Sequence, residues 1–497
     1  MKPFYITTPI YYVNDKPHIG HAYTSLACDM IARFKRLDGF DVKFLTGTDE
    51  HGQKIEKAAA AKGISPQDFV DEISQSFRNL STILNLTNDD FIRTTEPRHK
   101  QAAQHLWNQL VASGNIYLGE YAGWYAVRDE AFYQEDELID GKAPTGAEVE
   151  WIKESSYFFK LSAWAEPLLE YYANHPEAIQ PESRRNEVLR FIEGGLKDLS
   201  ISRRTLKWGV PVPGDSDHVM YVWLDALTNY LSALGYPSDG YQKYWDQAIH
   251  MVGKDIIRFH SVYWPAFLMA AGITPPKTVF AHGWWTVEGE KMSKSLGNAI
   301  DPVEMVDTYG ADAFRYFLLR DLSFGQDGDF SKVTFINRLN TDLANAYGNL
   351  CQRVLSFIYK NADATIPTPG EFMPEDKALM AMPKALLPNL RSAIDNFHLH
   401  RYGETIWQII GEGNRYVDAQ KPWSLKKEDP VRMATVLYTL CELIRQIAVL
   451  TQPILPLASA KILAILSQEK SDFSALEVAL KPGLKIDEPQ PLFAKYV

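Results

Sequence analysis

The chain has 497 residues, 46% of them hydrophobic, and a formal net charge of -11 at pH 7; that length suggests about three domains with ample apolar surface for cores. The acidic balance excludes a protein that coats nucleic acid indiscriminately, because such binding is supplied by Lys and Arg, so any nucleic-acid contact must be local. Cys28, Cys351 and Cys441 form no C-x-x-C pair, which argues against a disulfide framework and a cysteine zinc site and for a reducing compartment. Met1-Lys2-Pro3 leads straight into a strand with no charged and apolar leader, and no apolar run of about 18 residues stands out. The expectation is a soluble, cytoplasmic protein.

Phe4-Tyr5-Ile6-Thr7-Thr8 is a β-rich run, broken by Pro9 and by Val13-Asn14-Asp15-Lys16-Pro17. Apolar residues at Ala22, Leu26, Ala27, Met30, Ile31 and Phe34 keep helical spacing up to Gly39, and Val42-Lys43-Phe44-Leu45 reads as the next strand. This is a βαβ unit, so a ligand is expected outside the carboxyl ends of its strands, where the loops carry His18, His21 and Asp49. His18-Ile19-Gly20-His21 opens the helix, whose unpaired N–H groups and dipole favour phosphate. Gly20 lets a nucleotide lie against the backbone, and the two imidazoles can donate to a phosphate as its charge grows. Alone the signal is weak, since two histidines in a first turn are commonly incidental surface or capping residues.

Further on, Ser65-Pro66-Gln67-Asp68 supplies an N-cap, a first-turn proline and an acidic residue ahead of Phe69, Val70, Ile73 and Phe77. A strand at Phe91-Ile92-Arg93, a helix from Glu96 to Ala112 and a strand at Ile116-Tyr117-Leu118 are expected to complete the first part of an α/β domain. From Glu120 to Asp198 the chain turns aromatic, with strand-like pieces at Trp124-Tyr125-Ala126-Val127 and Ser156 to Leu161, and reads as an inserted domain. Basic residues from Arg184 to Lys207 suit phosphate or simply a solvated face. The α/β pattern resumes at Tyr221 to Tyr230, and His250-Met251-Val252-Gly253-Lys254-Asp255 is a strand ending in a glycine and a carboxylate, as a ribose hydroxyl requires. After Phe335 the chain reads as helical, with amphipathic faces at Leu343, Ala346, Leu350 and Val354 and again from Val436 to Ala448.

The predicted fold class is α/β: a Rossmann-like parallel-sheet catalytic domain with an inserted connective domain, followed by a C-terminal α-helical bundle. Its expected boundaries are 1–119 and 199–278 for the two parts of the catalytic domain, 120–198 for the insertion, 279–334 for a stem-contact segment and 335–497 for the bundle.

Lys291-Met292-Ser293-Lys294-Ser295-Leu296-Gly297-Asn298 lies roughly 270 residues beyond the histidine pair and offers two compact ammonium groups that can close over a triphosphate. The two motifs in this order resemble the class I aminoacyl-tRNA synthetases. Segments Asn14 to His21, Gly47 to Gly52, Val222 to Ala226, Gly253 to Pro265 and Lys291 to Gly297 narrow the resemblance to the methionyl-tRNA synthetase family, and the similarity extends into the helical end.

That resemblance implies ATP-dependent, AMP-forming ligation of L-methionine to elongator and initiator tRNA(Met), with Mg²⁺ accompanying ATP. It implies catalytic roles for His18, His21, Lys291 and Lys294, and ATP binding by these with Gly20, Gly253, Asp255, Ser293 and Ser295. Ile10, Tyr12, Trp223, Ala226, Tyr230, Ile256, His260 and Trp264 would surround the methionine side chain, with Asp49 and Arg203 at its charged ends. Asn349, Arg353 and Trp423 would read the CAU anticodon, the first two at base edges and the indole by stacking. Many relatives carry cysteine zinc knuckles in the insertion; this chain has no Cys between Cys28 and Cys351, so it resembles the zinc-free variety and no protein-bound zinc is expected. Pro9 and Leu227 depart from the best-known relatives at the pocket wall. The chain stops at Val497 without an added module, so a monomer is expected.

The bland alternative for each aromatic is ordinary core packing. Rivals of other classes are a nucleotidylyltransferase, which needs neither the insertion nor the helical tail; a leucine or cysteine synthetase, with a different pocket; and an inactive tRNA-binding protein.

Overall fold

Strand β1 (Pro3–Thr7) carries apolar residues on both faces and so needs cover on both sides. In the computed structural model, which describes residues 1–13, 16–129, 131–291 and 299–496, it lies within a seven-stranded sheet. The others are β2 (Tyr11–Tyr12), β3 (Asp41–Asp49), β4 (Asp90–Arg93), β5 (Ile179–Gln180), β6 (Ala248–Gly253) and β7 (Thr278–His282), and every pairing is parallel. One edge of β3 takes β1 and then, past Pro9, β2; its other edge takes β4. The far side of β1 leads to β6, β7 and finally β5. Gly47 allows the close β3–β4 approach, because a Cβ there would lie 2.1 Å from the carbonyl oxygen of Ile92.

Helix α1 (Ile19–Leu37) packs its apolar stripe under this sheet, as its spacing predicts, and stops at Asp38 before Gly39, which takes φ +83°. Its mid-point is tied to the rest of the molecule by a buried ion pair. Arg315, on α3 (Ala311–Arg320), meets Asp29 at 2.7 Å and donates to the carbonyls of Leu84, Pro453 and Ile454. Both residues are fully buried; Asp29 is also held by Arg33 and Thr87, so it is the loss of Asp29 that would leave the Arg315 charge without its carboxylate, at about 3–5 kcal/mol.

The insertion is an antiparallel sheet in the order Ala131–Tyr133, Ile116–Ala126, Glu150–Phe159, Leu199–Ser200. Ile116 to Leu118 therefore opens the insertion and does not complete the parallel sheet; Leu118 is 57% exposed, which a strand buried on both faces could not be. Within the expected 120–198 segment, Ile179 and Gln180 return to the central sheet as β5. A small antiparallel sheet of Ser202–Arg203, Pro211–Val212 and Asp215–Met220 then leads to helix α2 (Val222–Ser232).

Thr278 to His282 is likewise a central strand, so the stem segment begins after it, with Trp285–Val287 between Glu290–Lys291 and Gly328–Phe330. The bundle comprises α4 (Asn349–Asn361), α5 (Pro374–Asp395), α6 (Leu399–Gln420), α7 (Pro422–Glu428), α8 (Pro430–Thr451) and α9 (Pro456–Ile465). Helix α8 is long and apolar enough to cross a membrane by composition, yet nearly all of it is buried inside the bundle. Beyond Ile465 the described chain is not α-helical as expected. It holds one 3₁₀ turn, Phe473–Glu477, and Lys485 bridges to Thr365. Pro482, Pro489 and Pro491 bar a helix there, while Leu480 and Ile486 still reach the core.

Candidate active site

The site begins with the cap of α1. His18 is the N-cap; its Nδ1 accepts the backbone N–H of Gly20 at 3.1 Å, and Nδ1 of His21 accepts the backbone N–H of His18 at 3.0 Å. A reciprocal cap normally built from Ser and Glu is here built from two imidazoles. Because both Nδ1 atoms accept, each neutral ring carries its proton on Nε2, and both rings stand at the positive end of a helix. The cap itself calls for glycine at position 20, since a Cβ there would come within 2.9 Å of His18 Cε1.

These residues border a cavity of about 800 Å³ at the carboxyl ends of β1, β3, β6 and β7, the position expected for a ligand of an open parallel sheet. Of the residues expected from the sequence, Ile10, Tyr12, His18, Gly20, His21, Asp49, Trp223, Ala226, Tyr230, Gly253, Asp255, Ile256 and His260 all line it, as do Pro9 and Leu227. One stripe of α2, positions 223, 226, 227 and 230, faces the cavity at helical spacing. The Trp223 ring is stacked flat on Phe259 at 3.6 Å.

The apolar end of the cavity is kept neutral. His260 Nδ1 donates to the Ile256 carbonyl at 3.0 Å, so its Nε2 accepts the Tyr230 hydroxyl at 2.7 Å. Burial pushes the His260 imidazole down to about 4, against smaller opposing effects of the Ile256 carbonyl and Asp255. Burial also raises the Tyr230 phenol above its ordinary value. Behind them His250, itself pushed down by burial, stacks on Tyr230 at 4.0 Å. The result is a wall of uncharged rings suited to a polarisable, unbranched side chain, with the Asp49 carboxylate at its border. His260 sits on a widened helical turn, Phe259–Tyr263, of the kind that often marks a functional position.

The Gly253–Asp255 end of the cavity is braced by the segment that follows β7. Asp255 accepts from the Trp284 indole at 3.2 Å, and the Lys254 ammonium meets Asp327 at 2.6 Å. His282, Tyr23, Trp284 and Trp285 also line the cavity and were not expected from the sequence. The signal for His282 was its place at the end of Thr278–His282, a strand that reads as connecting chain unless the parallel sheet is already in hand.

Other expected residues lie elsewhere. Trp264 is wholly buried behind Tyr230 and against Trp245, so it packs the wall and does not line the cavity. Arg203 is also absent from the lining; its guanidinium bonds Ser200 Oγ at 2.8 Å and the Ser202 carbonyl at 2.7 Å and lies 4.5 Å from the centre of the Tyr221 ring. The backbone of Lys291 closes the Glu290–Lys291 strand, whereas Ser293, Lys294 and Ser295 fall outside the described residues. Asn349, Arg353 and Trp423 do not line the cavity; they stand on α4 and α7, where the Arg353 guanidinium lies 5.2 Å from the centre of the Trp423 ring. Among the described residues no group of three or more His, Cys, Asp or Glu side chains is placed to hold a metal ion.

Comparison with known proteins agrees with this geometry. Residues 4–150 and 135–355 match the family described as tRNA synthetases class I (M), and residues 366–497 match the anticodon binding domain of methionyl tRNA ligase. The methionine--tRNA ligases of Rickettsia felis and Brucella suis are 53% and 52% identical, each over 99% of this chain and 98% of its own length. Mycobacterium tuberculosis methionyl-tRNA synthetase in complex with methionyl-adenylate superposes with a TM-score of 0.96 at 50% identity, over 99% of this chain and all of its own; its apo form gives 0.88 at 47%, over 100% and 99%. The family models and full-length relatives together cover the βαβ unit, the insertion and the helical bundle, and the chain belongs to the methionyl-tRNA synthetases of class I.

Proposed function

We propose that the cavity at the carboxyl ends of β1, β3, β6 and β7 is where this methionine–tRNA ligase joins methionine to ATP, and where the adenylate then meets the tRNA 3′ end. The observation that carries the reading is the junction, within one cavity, of a helix N-terminus bearing two imidazole donors with a wall of neutral rings. Asp49 takes the methionine α-ammonium, while Trp223, Tyr230, Ile256 and His260 hold the thioether. Each sulfur–ring contact contributes about 0.3–1.5 kcal/mol.

The methionine carboxylate attacks the α-phosphorus of ATP, entering as Mg²⁺–ATP, and the bond to the bridging oxygen of pyrophosphate breaks. No protein nucleophile is needed. Alignment of the two substrates supplies about 7–11 kcal/mol, and donors fixed on the growing negative charge supply several more. His18 and His21 serve that second role together with Lys291 and Lys294. Asp255, beyond the Gly253 turn, takes ribose hydroxyls. A hydroxyl of the terminal tRNA ribose then attacks the methionyl carbonyl and AMP leaves. The antiparallel insertion holds the acceptor end, and Asn349, Arg353 and Trp423 read the anticodon of elongator and initiator tRNA(Met), the protein acting as a cytoplasmic monomer.

Methionine-dependent exchange of pyrophosphate into ATP tests the assignment. Wild type should exchange with methionine and not with leucine or cysteine, and His21→Ala should exchange at least about a hundredfold more slowly. Equal rates for the two proteins would remove the histidine cap from the chemistry.

A further inference from the structure

Beneath the cavity wall lies a buried histidine–aspartate–histidine array that the roles above do not use. Asp225 Oδ2 meets His51 Nδ1 at 2.6 Å and Asp225 Oδ1 meets His99 Nε2 at 2.7 Å. His99 Nδ1 lies 3.1 Å from Ser232 Oγ. All three are almost fully buried, and none lines the cavity. Burial opposes a charge on Asp225, yet the two imidazoles outweigh it and hold the carboxyl below the usual carboxylate range.

The three residues stand on three separate segments. His51 is two residues past Asp49, in the loop that leaves β3. Asp225 is on α2, on the side opposite the 223, 226, 227 and 230 stripe. His99 is in helix Pro97–Ala112, which packs behind α2. The His51 loop is held on its other side by Trp208, whose indole donates to the Glu50 carbonyl at 2.6 Å and whose carbonyl accepts the Gly52 N–H at 3.2 Å. The Asp225 carboxylate therefore joins the loop that follows Asp49 at the end of β3 to the back of the helix carrying Trp223, Ala226 and Tyr230. Those are the two borders between which methionine must fit. His51 Nε2 is buried with no hydrogen-bond partner among the described residues, so Nδ1 is the atom through which this ring is anchored.

We infer that His51, Asp225 and His99 are positioning residues for the amino-acid half of the reaction: the bridging carboxylate sets the gap between Asp49 and the α2 stripe, and with it the affinity for methionine, while leaving the nucleotide half untouched. The inference rests on the cavity being the methionine site, as proposed above. The nucleotide elements, the His18–Gly20–His21 cap and Gly253–Asp255, have no hydrogen bond to this array among the described residues; the cap is closed by its own two imidazoles, and the turn is braced by Trp284 on Asp255 and Asp327 on Lys254. A misplacement of about one ångström can cost about a hundredfold in such sites.

The test is a steady-state split in pyrophosphate exchange. His51→Ala should raise KM for methionine at least about tenfold while KM for ATP stays within about twofold, and His51→Asn, which keeps an N–H donor close to the Nδ1 position, should recover most of the methionine affinity. A merely structural role would instead lower active-enzyme concentration and leave both KM values alone. Unchanged methionine KM in His51→Ala, or equal changes for both substrates, would overturn the inference. Should His51→Ala not fold, Asp225→Asn carries the same test, and there too an absent or equal effect on the two KM values overturns it. Failure of the underlying assignment looks different, because wild type itself would then show no methionine-dependent exchange.

Discussion

His21 Nδ1 accepts the backbone N–H of His18 at 3.0 Å, so the second histidine of the pair holds the first where the helix begins. The same two rings stack obliquely with centres 3.9 Å apart. The positions of the two side chains are thereby coupled, the kind of preorganisation that donors to a developing charge would need. Gly20 sits between them with no room to spare.

Gly20→Ala is expected to push the His18 ring off the cap, since the added Cβ would approach Cε1 at 2.9 Å. Single-turnover formation of methionyl-adenylate should fall by about tenfold to a hundredfold, with methionine affinity nearly unchanged. A rate equal to wild type would show that the position of His18 does not matter to the chemistry.

Lys294→Ala should slow adenylate formation at least about tenfold with little change in methionine affinity, because the ammonium would act chiefly on phosphates in the transition state. The residue is outside the described set, so the expectation rests on its spacing from Lys291, whose strand pairs with Trp285–Val287 beside the cavity. Rapid-quench measurement decides it, and an undiminished burst would take the Lys291 to Ser295 loop out of the mechanism.

Much of this arrangement is legible in the sequence where local periodicity and burial agree. The Ala22 to Phe34 spacing gives α1, and the histidine pair ahead of it places the cavity. Legibility fails where an element is too short or its partners too distant. Ile179–Gln180 is only two residues long, and nothing local marks it as a sheet edge. Ile116 to Leu118 looks like a buried strand because its apolar residues are contiguous, although Tyr117 and Leu118 face solvent on an antiparallel sheet and only Ile116 packs inward. Trp264 and Arg203 share the pocket's composition without its geometry: burial placed one behind Tyr230 and the other against Tyr221.

Acid should weaken the fold through the buried histidines. Burial lowers His260 from 6.5 to about 4, so between those values the unfolded chain binds more protons than the folded one. The stability this residue contributes is complete above about 6.5 and is lost as pH falls towards 4, by about 3 kcal/mol in all. His250 and His282, also lowered by burial, act in the same direction. Urea midpoints of wild type should drop from pH about 7.5 to about 5, and His260→Gln should show a shallower drop from a lower start. Parallel pH dependences would mean that His260 titrates normally.

Chelation of transition metals is expected to leave aminoacylation intact once Mg²⁺ is restored. The insertion contains no cysteine, and all three thiols of the chain are buried and far apart in sequence, whereas a structural zinc needs convergent thiolates or imidazoles. One tightly held zinc per chain, with activity lost on its removal, would contradict this.

The bundle presents a second small array, at the junction of α4 and α7. Trp423 follows Pro422 at the start of α7 and remains 46% exposed, with the Arg353 guanidinium 5.2 Å from its ring centre. Arg353 is itself steadied by Asp418 at 2.7 Å, and exposed Asn349 stands one turn earlier on α4, whereas Leu350 between them is core. An exposed indole flanked by edge-forming side chains suits an unpaired base, which stacks on the plane and is read at its edge. Trp423→Ala should therefore cost about 1–3 kcal/mol of tRNA recognition, the range for one stacked base. Adenylate formation without tRNA should hardly change, because the cavity shares no residue with this array. The comparison to make is kcat/KM for tRNA bearing CAU and altered anticodons in both proteins. Wild type should discriminate strongly and the variant weakly. If Trp423→Ala uses CAU tRNA as efficiently as wild type, these residues do not read the anticodon.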